Sequence, residues 1–65
     1  MTEELPALES DWLAQREMYA ASPQPASLHR AVAAGEAYVA ALHRAGRPVP
    51  AKLADGLALL VDLAS

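Results

Sequence analysis

The sequence predicts an all-α fold, either a three-helix bundle or a helical hairpin with an appended third helix, and three observations carry that reading. Sixteen alanines and ten leucines dominate 65 residues from which Phe, Ile, Asn and Cys are absent, so helix formers abound and strand-favouring residues are scarce. Apolar residues recur at helical spacing in three stretches. Two proline pairs, Pro23/Pro25 and Pro48/Pro50, interrupt the chain between those stretches, and links this short favour antiparallel neighbours. A chain of this length holds one small helical domain over residues 1–65, because halves of it would be too small to keep a core.

Helix 1 is expected over residues 6–20. Pro6 suits a first helical position, where its missing N–H costs nothing. At 100° per residue Leu5, Leu8, Trp12 and Tyr19 fall in a narrow arc that should face the core. Leu13 points elsewhere, and Met18 with Ala7, Ala14 and Ala21 forms a second, small-residue face. Ser22-Pro23-Gln24-Pro25 cannot continue the helix and reads as a stiff connector.

Ser27 reads as the N-cap of helix 2, expected over residues 28–45, with Gly46 in the left-handed position beyond its end. Its apolar arc is Leu28, Ala31, Val32, Gly35, Tyr38, Val39 and Leu42, the clearest amphipathic pattern in the chain. Gly35 lies in the middle of that arc although glycine costs about 1 kcal/mol relative to alanine inside a helix. A close approach of another helix would offset the cost.

Helix 3 is expected over residues 50–63, opening on Pro50 and burying Leu53, Leu57, Leu60 and Ala64. It is apolar on nearly every side, since Leu59, Val61 and Leu63 lie off that stripe and little but Lys52, Asp55 and Asp62 meets water. A domain this small buries only about 60% of the surface of its unfolded chain. Two short neighbours therefore cannot cover helix 3, and the surplus points to a second chain.

Composition narrows the function classes. With 54% hydrophobic and 20% charged residues the chain is too apolar for intrinsic disorder. Lack of cysteine removes disulfides, thiolate ligands and a cysteine nucleophile, and favours a cytoplasmic setting. The start Met1-Thr2-Glu3-Glu4 is acidic where a secretory signal is basic, and no apolar run approaches the ~20 residues of a membrane span. The four-to-one excess of arginine over lysine in an alanine-rich chain is associated with GC-rich bacteria and their phages. Formal charge is −4 over residues 1–20, where Glu3, Glu4, Glu9, Asp11 and Glu17 face Arg16. It is +3 over 21–52, where Arg30, Arg44, Arg47 and Lys52 face Glu36, and Asp55 and Asp62 follow. Helices of opposite charge should lie side by side; an acidic partner for the middle segment is the sharper alternative.

No constellation carries recognisable chemistry, so no catalytic residue, metal ligand or cofactor site is assigned and the chain reads as non-enzymatic. His29, Glu36 and His43 recur every seven residues, but each step spans about 10.5 Å of helix, whereas zinc ligands converge within about 2.0–2.3 Å of the ion. Asp55 and Asp62 are too far apart for paired catalytic carboxylates. The three glycines are spread along the chain and make no phosphate loop. Gly35-Glu36-Ala37-Tyr38 has the Gly-x-x-Tyr spacing of a tetratricopeptide helix, but Ala34 replaces the expected leucine and one unit makes no array. Trp12, with Arg16 one turn later, reads as core, and as an interface anchor if it is exposed.

The expected function is that of a small non-catalytic interaction module binding itself or another protein, an adaptor, chaperone-like protein or inhibitor, through apolar helix faces bearing Leu13, Met18, Leu59 and Leu63. The alternative is a DNA-binding regulator using the basic face Arg30, Arg44 and Arg47. Helix 3, with Lys52 and two aspartates, is a poor recognition helix, and this argues against nucleic acid as partner. In size, lack of cysteine and a proline-broken hairpin the chain resembles the small chaperones of type III secretion needle subunits. Anti-sigma factors, antitoxins and phage inhibitors fit such a module equally well.

Overall fold

A computed structural model of the chain describes residues 4–65, and the acidic start at Met1, Thr2 and Glu3 lies outside the described residues. Three helices follow one another, α1 (Glu4–Ala21), α2 (Pro25–Arg44) and α3 (Ala51–Ala64), and the described residues contain no strand. The all-α three-helix architecture is therefore observed. Pro6 falls inside the first described turn of α1 rather than at its first residue, in a part of the helix where backbone N–H groups have no intrahelical partner.

The start of α2 corrects the expectation for Ser27. Gln24 is the N-cap, and its side chain makes no capping bond. Pro25 holds Gln24 extended at φ −124° and ψ 157°, which is the geometry of an N-cap, while its own fixed φ begins the helix. The proline signal thus overrides the serine, which ends half-buried in the first turn. In the same way Pro50, at φ −60° and ψ 142°, stands just outside α3 as its N-cap.

The other end of α2 follows expectation closely. Gly46 adopts φ +67°. Its N–H donates to the His43 carbonyl at 3.1 Å, and the Arg47 N–H donates to the Leu42 carbonyl at 2.8 Å. Those two bonds form a Schellman motif, which satisfies carbonyls that the helix end would leave unpaired.

The middle helix carries the core, with α1 lying along it more extensively than α3. At one end of the molecule Arg44 of α2 donates to Glu4 of α1 at 3.0 Å, so the two helices are antiparallel. This exposed pair between an acidic and a basic helix contributes at most about 1 kcal/mol. α3 returns parallel to α1: Lys52 and Leu53 at its start border Glu9 and Trp12, and Leu63 near its end borders Tyr19. Among the described residues the backbones of α1 and α3 come no closer than 8 Å between Cα atoms.

Trp12 bridges that gap. It is only 2% exposed and is the one buried residue of α1. A Cβ added to Gly35 would stand 2.9 Å from Trp12 Cζ3 and 2.7 Å from Leu57 Cδ1; one added to Gly56 would stand 3.3 Å from Trp12 Cζ2. The indole therefore sits against backbone on both α2 and α3, and Arg16 covers it with its guanidinium 5.9 Å from the ring centroid. Leu28, Ala31, Tyr38, Leu42, Leu53 and Leu60 complete the buried cluster. Ala34 and Ala41 are buried as well, so the inward arc of α2 is wider than its large apolar residues indicate.

Two outcomes test this packing. Gly35→Ala should lower the melting temperature although alanine adds about 1 kcal/mol of helix propensity, because overpacking typically costs about 1–3 kcal/mol, and Gly35→Leu should be worse. Calorimetry that finds either variant melting at or above wild type would show that the ring and Leu57 step aside freely. No atom lies within 4 Å of a Cβ built on Gly46, so Gly46→Val should destabilise through backbone strain alone, while Gly46→Asn keeps most of the stability because asparagine tolerates the left-handed region.

Candidate interaction surface

All four residues named for partner binding are exposed: Leu13 by 43%, Met18 by 52%, Leu59 by 61% and Leu63 by 53%. The fold does not bring all four together. Five residues of α-helix separate Leu13 from Met18 by about 140° around the axis. Leu13 borders a cleft of about 310 Å³ that it shares with Arg16, Lys52 and Leu53, on the side of α1 that faces α3. Met18 shares the opposite side of α1 with exposed Asp11 and half-buried Gln15, whose amide donates to the Asp11 carboxylate at 3.3 Å.

Along α3, Lys52, Gly56, Leu59 and Leu63 succeed one another at intervals of four, three and four residues and share one edge. Lys52 lies in the cleft with Leu13, Gly56 meets the Trp12 ring, and Leu63 borders a second cleft of about 290 Å³ with Tyr19 and Leu28. That edge faces α1. Leu13 and Leu63 thus border two separate clefts, only the first of them lined by Trp12, and Leu59 is exposed on the α3 edge between Lys52 and Leu63. Val61, 41% exposed, lies on the other flank of α3; its only signal in the sequence is a helix apolar all round.

The basic residues do not gather. Arg30 and Arg44 are about 21 Å apart along α2, and Arg44 is paired with Glu4. Arg47 turns into a third cleft, of about 330 Å³, with Glu9, Tyr38 and Leu5. Burial raises the Tyr38 phenol above its ordinary value, and the Glu9 carboxylate adds to the shift while Arg47 opposes it. His29, Glu36 and His43 are exposed on α2, as are Asp55 and Asp62 on α3. Among the described residues no three histidine or carboxylate side chains converge on a common point, and no helix is long and apolar enough to cross a membrane.

Comparison with known proteins gives no match to a family model, to a curated protein or to a solved structure.

A raised phenol is a stability statement with a sign. The folded state favours neutral Tyr38, so its contribution is intact below the ordinary value of 10.0 and is lost as pH rises through the higher folded value. Absorbance titration of phenolate should show a late-ionising component that disappears in Tyr38→Phe. If the variant titrates like wild type, the environment assigned to this phenol is wrong.

Proposed function

We propose that the protein is a small, non-catalytic protein–protein interaction module of adaptor, chaperone-like or inhibitor type, working through the exposed apolar surface of α3 and the facing edge of α1. One observation carries the reading: Leu59 and Leu63 are more than half exposed on a helix whose neighbouring stripe, Leu53 and Leu60, already fills the core. Neighbouring exposed apolar side chains that the protomer does not use for folding are the usual mark of a docking surface. Arginine scattered between an ion pair and a cleft gives the DNA-binding alternative no comparable support. Absence of cysteine agrees with a reducing, cytoplasmic setting, and the arginine-rich, alanine-rich composition with a bacterial or phage source.

The test separates surface from core. Leu59→Gln/Leu63→Gln should remain a helical monomer by circular dichroism and sedimentation while losing the associations of the wild type. Leu53→Ala or Leu60→Ala should unfold much of the population, since a buried leucine is worth about 2–5 kcal/mol against the few that so small a domain can spare. If the double glutamine variant unfolds as readily as the core variants, those leucines hold the protomer together and the reading fails.

A further inference from the structure

We infer that two adjoining clefts beside the α2–α3 link receive an acidic peptide segment, which seats one large apolar side chain against Leu13 and Pro50 and sets carboxylates against Arg16, Lys52 and Arg47. The inference rests on the interaction-module reading and adds the chemistry of a partner, at a place that uses neither Leu59 nor Leu63. Glu9 and Tyr38 line both clefts and form the wall between them. On one side of that wall lie Arg16 and Lys52 with Leu13 and Pro50; on the other lies Arg47 with Leu5 and Pro6. Three cations thus stand against one carboxylate, in a chain whose formal net charge is −3. Glu17 and Asp55 line neither cleft.

The fold leaves this local charge unbalanced. Among the described residues the one ion pair joins Arg44 to Glu4, so none of the three cleft cations is paired there. Glu9 faces the Tyr38 phenol. Lys52 occupies the first turn of α3, where the free N–H groups already present partial positive charge and no acidic residue offsets it. Arg16 lies over the Trp12 ring, which holds its guanidinium in place before a partner arrives. At about 310 and 330 Å³ the two clefts are open and small, at the lower limit of the roughly 300–1,000 Å³ that small-molecule sites enclose. They suit one peptide side chain with complementary charges spread around it. A peptide can lay a neutral residue over Glu9, whereas a nucleic-acid backbone brings a phosphate at every step.

Two synthetic peptides with the same apolar positions, one carrying glutamates on both sides of a central phenylalanine and one carrying lysines there, serve as probes in titration calorimetry with the full chain. The glutamate peptide should bind, more weakly as salt rises, and the lysine peptide should not, although the net charge of the protein favours the reverse. Leu13→Gln should weaken binding by roughly tenfold or more with the helical signal unchanged. Arg47→Glu/Lys52→Glu should reverse the preference between the peptides, whereas Arg30→Glu, at an exposed cation of α2 that lines neither cleft, should leave it unchanged. Equal or tighter binding of the lysine peptide by the wild type, or a loss with Arg30→Glu as large as that with the cleft variants, overturns the inference. So does a short DNA duplex that binds more tightly than the glutamate peptide. Leu59→Gln/Leu63→Gln should bind the glutamate peptide as the wild type does; a loss there moves the docking surface to the α3 edge, which overturns the cleft assignment and leaves the interaction-module reading standing. A wild type that binds neither peptide overturns the inference alone if that double variant still abolishes the associations of the wild type, and removes both readings if the wild type associates with nothing.

Discussion

Trp12 reaches the centre of the molecule because Gly35 carries no side chain where the ring passes, and Gly56 gives it a little more room than an alanine would. Gly35 and Gly56 let the indole lie against backbone on α2 and on α3, and it is the group that ties α1 to α3 across a gap their backbones never close. Burial of an aromatic ring is among the largest single contributions available to a small core, and here it rests above all on the missing methyl group at Gly35. The helix cost of glycine at position 35, about 1 kcal/mol, is small beside what the seated ring contributes. The Arg16 guanidinium lies over the ring, 5.9 Å from its centroid.

The exposed leucines follow from the same economy of space. Ala31, Ala34 and Ala41 of α2 are all buried and α1 lies close along that helix, so little volume is left for large side chains. α3 can place only one stripe against such a narrow core, and the rest of its apolar surface stays outside. Carboxylates beside those leucines supply charge to a face that would otherwise invite indiscriminate aggregation.

Much of this fold is legible in the chain because its punctuation is chemical. Prolines stop helices for want of an N–H, and Gly46 can turn left-handed where other residues strain; helix positions follow to within a few residues. Ser27 misleads because serine at a helix start and proline two residues earlier compete for the same role, and the proline sets backbone angles directly while the serine only offers a hydrogen bond. Ala34 and Ala41 are unreadable as core because alanine carries no sidedness. Gly35 announces a close approach, but nothing local says that Trp12 and Leu57 make it, and Gly56 looks like a spacer in a leucine-rich helix. The surplus of Leu59 and Leu63 is plain from periodicity. That Leu13 lies on the side of α1 facing α3 while Met18 lies on the other depends on where α3 lies, which is a tertiary fact.

With no second tryptophan in the chain, the seated indole is also an optical reporter of the whole assembly. Its emission senses α2 and α3 through the two glycine contacts and α1 through its own backbone, so departure of either outer helix exposes the ring and shifts its spectrum to the red. Loss of helix measured in the far ultraviolet and loss of buried indole emission would superimpose if the three helices melt as one cooperative unit. If α3 undocks first, the fluorescence change would run ahead of the helix signal, and a single spectrometer would resolve the order in which the bundle comes apart.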